Sequence, residues 1–167
     1  MNASNAESGR PGRQASYVEA PATQTVTMFL WGIVGAAVLA FIAAFLPWAT
    51  AAGRSVSGLS DGRDGVITLV LAIITAALAA AAISMPASLR DLPLIAGLTA
   101  IVTGVVLIVV SLVDILDVQD RNRDLGVFGE ITGIDVSVGY GLWLTLLTGL
   151  LLIVLGLMDY IGRRRTE

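Results

Sequence analysis

Residues 26–48, 66–85, 92–113 and 138–158 form four apolar stretches without a single Asp, Glu, Lys, Arg or His. Each is about 20 residues or slightly longer, and a helix rising ~1.5 Å per residue then crosses a ~30 Å hydrocarbon core. A surface helix of a water-soluble domain keeps one polar face, and these stretches have none. A transmembrane β-barrel is excluded as well, because its strands alternate apolar and polar residues over ~10-residue segments. The expected fold class is therefore an all-α membrane protein, a bundle of four transmembrane helices. Residues 1–25 read as a disordered polar tail, 26–162 as the membrane domain and 163–167 as a basic tail. A cleaved secretory signal is disfavoured, because the first apolar run exceeds the 7–15 residues of a signal core.

Composition narrows the chemistry. The 167 residues are 56% hydrophobic and 14% charged, against roughly a quarter charged in a soluble domain. Cys, His and Lys are all missing, and every basic residue is Arg. That removes thiol nucleophiles, imidazole bases, Lys Schiff bases and His/Cys metal sites. No catalytic set and no cofactor are expected. A net charge of −3 gives no footprint for nucleic acid.

Arginine placement sets the expected orientation. Arg10, Arg13, Arg90, Arg163, Arg164 and Arg165 fall on one side of the four spans; Arg54, Arg63, Arg121 and Arg123 fall on the other. The Arg163, Arg164 and Arg165 cluster directly follows a span and carries most weight. Both termini are expected in the cytoplasm of a plasma (inner) membrane protein, with loops 49–65 and 117–139 outside. Trp48, Tyr140 and Trp143 are expected as headgroup anchors on the outer side, Trp31 and Tyr160 on the inner. Pro47 is expected in the last turn of the first helix and Pro93 in the first turn of the third, where a missing N–H costs little.

Small residues recur every four positions: Gly32, Ala36, Ala40 and Ala44; Ala72, Ala76, Ala80 and Ser84; Ala96, Ala100 and Gly104; Gly141, Thr145 and Gly149. Residues four apart share a helix face, and small ones let backbones approach where lipid provides no hydrophobic drive. These rows are expected to be packing seams, turned either into the bundle or toward another protein.

The outer loops are expected to carry a small β element. Ile134, Val136 and Val138 alternate with polar residues, Gly126–Gly129 is the expected opposing strand, and Ser55–Ser57 a further one. Asp114, Asp117, Asp120 and Asp124 share one face of a helix continuing past the third span, read as a solvated acidic end. Asp120, Asn122 and Asp124 also match the opening of a calcium-binding loop and are candidate metal ligands. The match stops there: Leu125 replaces the required Gly and Ile131 the required Glu.

Two resemblances follow. Four passes, an outer β layer, Trp48 and Gly141-Leu142-Trp143 are similar to claudins in architecture. Claudins, however, place that Gly-Leu-Trp and two Cys in the first outer loop, so the likeness ends at architecture. Over most of residues 28–162 the chain resembles small four-pass membrane proteins of actinobacteria that have no established activity. The shared marks are Leu46-Pro47-Trp48, Ser57-Gly58, Asp64-Gly65 and Gly139-Tyr140-Gly141-Leu142-Trp143. Val-Ser leads into Gly and an apolar span in both halves, at Val56-Ser57-Gly58 and Val136-Ser137-Val138-Gly139, as in a parallel repeat.

The expected function is that of a non-enzymatic structural or accessory protein of a cell-envelope complex. Its partners would be the lipid bilayer and a membrane protein or further copies of itself. The alternative is a small oligomeric channel, holin-like pore or transporter, for which the spans offer only scattered Ser and Thr. A membrane enzyme using loop carboxylates is the least supported.

Overall fold

In the computed structural model, which describes residues 22–51, 53–61, 63–84, 91–132 and 136–164, four helices are long and apolar enough to cross a membrane. They are α1 (Ala22–Phe45), α3 (Arg63–Ser84), α4 (Leu92–Thr132) and α5 (Tyr140–Arg164). A one-turn helix, α2 (Gly58–Asp61), precedes α3. Three short strands, β1 (Pro47–Ala51), β2 (Arg54–Ser57) and β3 (Val136–Val138), form one sheet at one end of the bundle, the cap.

Neighbouring helices pack in the cyclic order α1, α3, α4, α5. The bundle interior is built from small side chains. Ala36, Ala40, Ala44, Ala96 and Ala100 are buried, with Ile33, Leu107 and Leu152 filling the space between. Gly104 and Gly149 meet at the α4/α5 crossing: a methyl added to either would come within 2.5 Å and 2.9 Å of the other's carbonyl oxygen. Two turns away, a methyl added to Gly156 would come within 2.7 Å of the Gly97 carbonyl oxygen, and one added to Gly97 within 2.8 Å of the Asp159 carboxylate. Gly32 faces Leu155, whose methyls lie 3.2 Å from where a side chain would start. The expected seams therefore face the bundle's own interior. One row is corrected. On α3 the buried positions are Thr68, Ala72, Thr75 and Ala79, while Ala80 and Ser84 are exposed. Steps of three and four follow the 3.6-residue turn, and a strict step of four drifts off the face. Large apolar residues such as Phe41, Ile73, Val102, Val109, Leu147 and Leu150 are exposed on the outside of the bundle, an apolar surface of the kind a bilayer would cover.

The sheet runs β2-β1-β3, antiparallel throughout. Two expectations fail here. Gly126–Gly129 is not the opposing strand, because α4 runs through it, broken only at Gly126 with φ 37°. Pro47 is not in the first helix but opens β1, which pairs with both β2 and β3. Pro is tolerated at a strand's first residue because its missing N–H falls outside the ladder. Thr50 and Ser137 hydroxyls pair across strands at 2.6 Å.

Candidate functional site

At the cap end, several residues distant in sequence converge on Trp48. The register slips between Pro47 and Ala49, and such a bulge re-aims the extra side chain. Trp48 is only 7% exposed and packs with Ile115 and Leu142. It is thus corrected from a headgroup anchor to the core of the cap. Its indole N–H donates at 2.9 Å to the Ala43 carbonyl near the end of α1, which also accepts the Leu46 N–H at 3.2 Å.

Glycine makes this arrangement possible. A Cβ on Gly58 would lie 2.4 Å from the indole ring, and one on Gly141 2.8 Å from it. One on Gly139 would sit 2.2 Å from the Pro47 carbonyl, and one on Gly65 2.1 Å from that of Gly58. The Gly139 N–H bonds the Trp48 carbonyl at 2.7 Å. The short motifs around residues 46–48, 57–58, 64–65 and 139–143 are therefore one constellation in space.

Beneath the sheet lies a cavity of about 350 Å³, lined by Trp48, Val56, Ser57, Val136 and Leu142 on its apolar side. Asp64, Asp114, Asp117 and Arg121 supply the charge. Arg121 pairs with Asp117 at 3.0 Å on the exposed face of α4. Asp64, in the first turn of α3, and Asp114 on α4 line this cavity together, close enough for each carboxyl's charge to act on the other. Asp114 is consequently corrected: it leaves the solvated row formed by Asp117, Asp120 and Asp124, and its Oδ2 is buried without a protein partner. Two carboxyls this close repel when both are ionised and accommodate either a shared proton or a cation.

Below them the interior carries hydroxyls. Thr75 and Thr103 bond each other at 2.8 Å across α3 and α4. On α5, Thr145 donates to the Gly141 carbonyl and Thr148 to the Leu144 and Thr145 carbonyls, each at 2.9 Å. Thr68 and Ser111 are fully buried, and neither hydroxyl oxygen has a protein partner.

The expected metal ligands do not converge. Asp120, Asn122 and Asp124 lie exposed along α4, whose helical backbone cannot wrap around an ion. Asp120 pairs with Arg123 at 3.5 Å, and Asn122 accepts the Val136 N–H at 3.5 Å. Among the described residues no three His, Cys, Asp or Glu side chains are placed to hold a metal.

The opposite end has its own polar set. Asp159 is buried, its carboxylate occupying the space beside Gly97, and takes both hydrogen bonds of an Arg163 fork at 2.9 Å. Arg164 stacks 4.7 Å above the Tyr160 ring and bonds its hydroxyl. Leu94, Tyr160, Arg163 and Arg164 line a shallow hollow there. Trp31, Tyr140 and Trp143 are exposed, the last two at the cap end. Arg165 lies outside the described residues, as do Arg10, Arg13 and Arg90.

Asp64, Asp114 and Asp159 sit just beyond the ends of the charge-free apolar runs. The available signal was spacing: Asp64 and Thr68 share one helix face, as do Ser111 and Asp114. No family model matches this chain, and no curated protein or solved structure matches it either.

Proposed function

We propose that the chain is a non-enzymatic multi-pass protein of the plasma membrane. Both termini lie in the cytoplasm, the cap lies outside, and the protein serves as an accessory partner of a cell-envelope complex. The observation that carries this reading is the projection of α4. Of the stretch from Leu92 to Asp124, about 20 residues suffice to cross the bilayer. The remainder extends roughly 15–20 Å past the hydrocarbon at ~1.5 Å per residue. Asp117, Asp120, Arg121, Arg123 and Asp124 are all exposed on it, and β3 braces its flank through Asn122. A rigid, charged, braced arm is a surface to present. The packing glycines and alanines are consumed inside the bundle, so the arm and cap are left for a partner.

The pore alternative loses support. An oligomeric pore needs polar residues on a bundle's outer face, whereas Thr75, Thr103, Thr145 and Thr148 are buried inside.

Photo-crosslinker placed at Asp120 or Arg123 in native membranes tests the reading. Reproducible linkage to one envelope protein is expected. Linkage only to lipid or to other copies of the chain overturns it. Because the chain has no Cys, an Asp124→Cys variant also tests the orientation. Labelling of intact cells by an impermeant maleimide is expected, and labelling only after lysis reverses the topology.

A further inference from the structure

The α3/α4 interface has a readable register. Asp64 faces Asp114, and Thr75 faces Thr103. Both steps are 11 residues, down α3 and back along α4, and 11 residues make about three turns. All four residues therefore lie along one seam between antiparallel helices. Thr68, one turn below Asp64, and Ser111, one turn below Asp114, fall between the two pairs on the same faces. They are the fully buried hydroxyls without a protein partner.

A buried Thr or Ser in a helix ordinarily donates to the carbonyl one turn back, as Thr145 and Thr148 do on α5. Leaving such a hydroxyl unpartnered in a protein interior forfeits the hydrogen bond it made to water. Thr68 and Ser111 thus place two buried, unpartnered hydroxyls about one turn beneath two neighbouring carboxyls. Asp114 Oδ2 adds a third unpartnered buried oxygen. The neighbouring Arg121 is engaged with Asp117 at 3.0 Å. Further along the seam Ala72 and Leu107 are buried, while Asp64 and Asp114 line the cap cavity, so the seam meets the cavity at its carboxyl end.

We propose that Asp64, Asp114, Thr68 and Ser111 bind a small hard cation at the capped end of the bundle. The donors are all oxygen, the preference of sodium, magnesium and calcium. The carboxyls neutralise the charge, and the hydroxyls replace water on the buried side. The cavity above is wide enough to supply the remaining ligands as water. This site is independent of whether the arm on α4 engages a partner.

Full-length protein purified into nanodiscs provides the test. Its thermal midpoint is followed by tryptophan fluorescence in choline chloride, then with sodium, magnesium or calcium chloride at equal ionic strength. A midpoint rise of about 5–10 °C is expected at a hundredfold excess over the dissociation constant of the cation that binds. A rise with sodium alone assigns a monovalent site; a rise with calcium or magnesium assigns a divalent one. Asp64→Asn and Asp114→Asn should abolish the rise. Thr68→Val and Ser111→Ala should weaken half-saturation about tenfold, and Asp91→Asn, at an exposed position just before α4 and away from the cavity, should leave it unchanged. No rise with any of the three salts overturns the proposal, as does a rise that survives the Asp64→Asn/Asp114→Asn double variant. Should that double variant fail to fold, the near-isosteric Thr68→Val decides: unchanged half-saturation overturns the proposal.

Discussion

Helix α4 has two neighbours and treats them differently. Against α5 it brings glycine to glycine, so that the Gly104 and Gly149 backbones touch, and the α5 hydroxyls bond their own helix. Against α3 it aligns carboxyls and hydroxyls, two of which bond nothing in the protein. The first seam is satisfied by itself. The second leaves polar atoms at a cost that no packing gain on that side explains. A chain under selection for stability alone would fill Thr68 with Val. The contrast separates a joint that holds the bundle together from one that retains polar chemistry.

Breaking the first joint should have the largest effect. Gly104→Leu forces a side chain into a backbone 2.5 Å away, and a loss of more than about 3 kcal/mol is expected. In detergent this should appear as aggregation or a collapsed thermal midpoint, whereas Gly35→Ala, with open space around it, should be neutral. Trp48→Ala, which empties the cap above both joints, should cost about 3–5 kcal/mol and raise protease sensitivity in the cap strands. Thr75→Val removes the one hydroxyl pair closed across the α3/α4 seam and should cost about 1 kcal/mol or less, measured by unfolding in mixed micelles. Thr68→Val should reverse the sign: in cation-free buffer the variant is expected to be as stable as the wild type or up to about 1 kcal/mol more so. A clear destabilisation there would erase the difference between the joints. Arg121→Ala, on a pair that is mostly exposed on both sides, should change stability by less than about 0.5 kcal/mol.

Span number was legible because length and lack of charge are local properties. So were the strands at Val56 and Val136, which alternate in sequence, and the seam positions, which recur at helical spacing. The cap's wiring was not. Whether Pro47 ends a helix or opens a strand depends on its pairing with Ser57 on β2, and the strand it opens gains its second neighbour, β3, some 90 residues later. Gly126–Gly129 looks like a strand by composition, yet it lies in the helical stretch Leu92–Thr132, which kinks at Gly126, and β3 pairs with β1 instead. Trp48 has the character of a headgroup anchor, and only the four glycines around it, contributed by three separate segments, turn it inward. Asp114 shares its helix spacing with three exposed aspartates. Its different fate is set by Asp64 across the seam, and a pairing between two helices leaves no mark in either one's periodicity.

The order of the sheet has a consequence for biogenesis. β1 lies in the centre, and its second neighbour, β3, immediately precedes the last span. A chain emerging from the ribosome can form the β1/β2 hairpin early, yet the hairpin keeps an open edge and the cradle of Trp48 lacks Gly139 and Gly141 until the segment leading into α5 has been made. The cap therefore records that α5 has arrived. A nascent chain stalled before Val136 would display an unpaired strand edge and an incompletely covered indole.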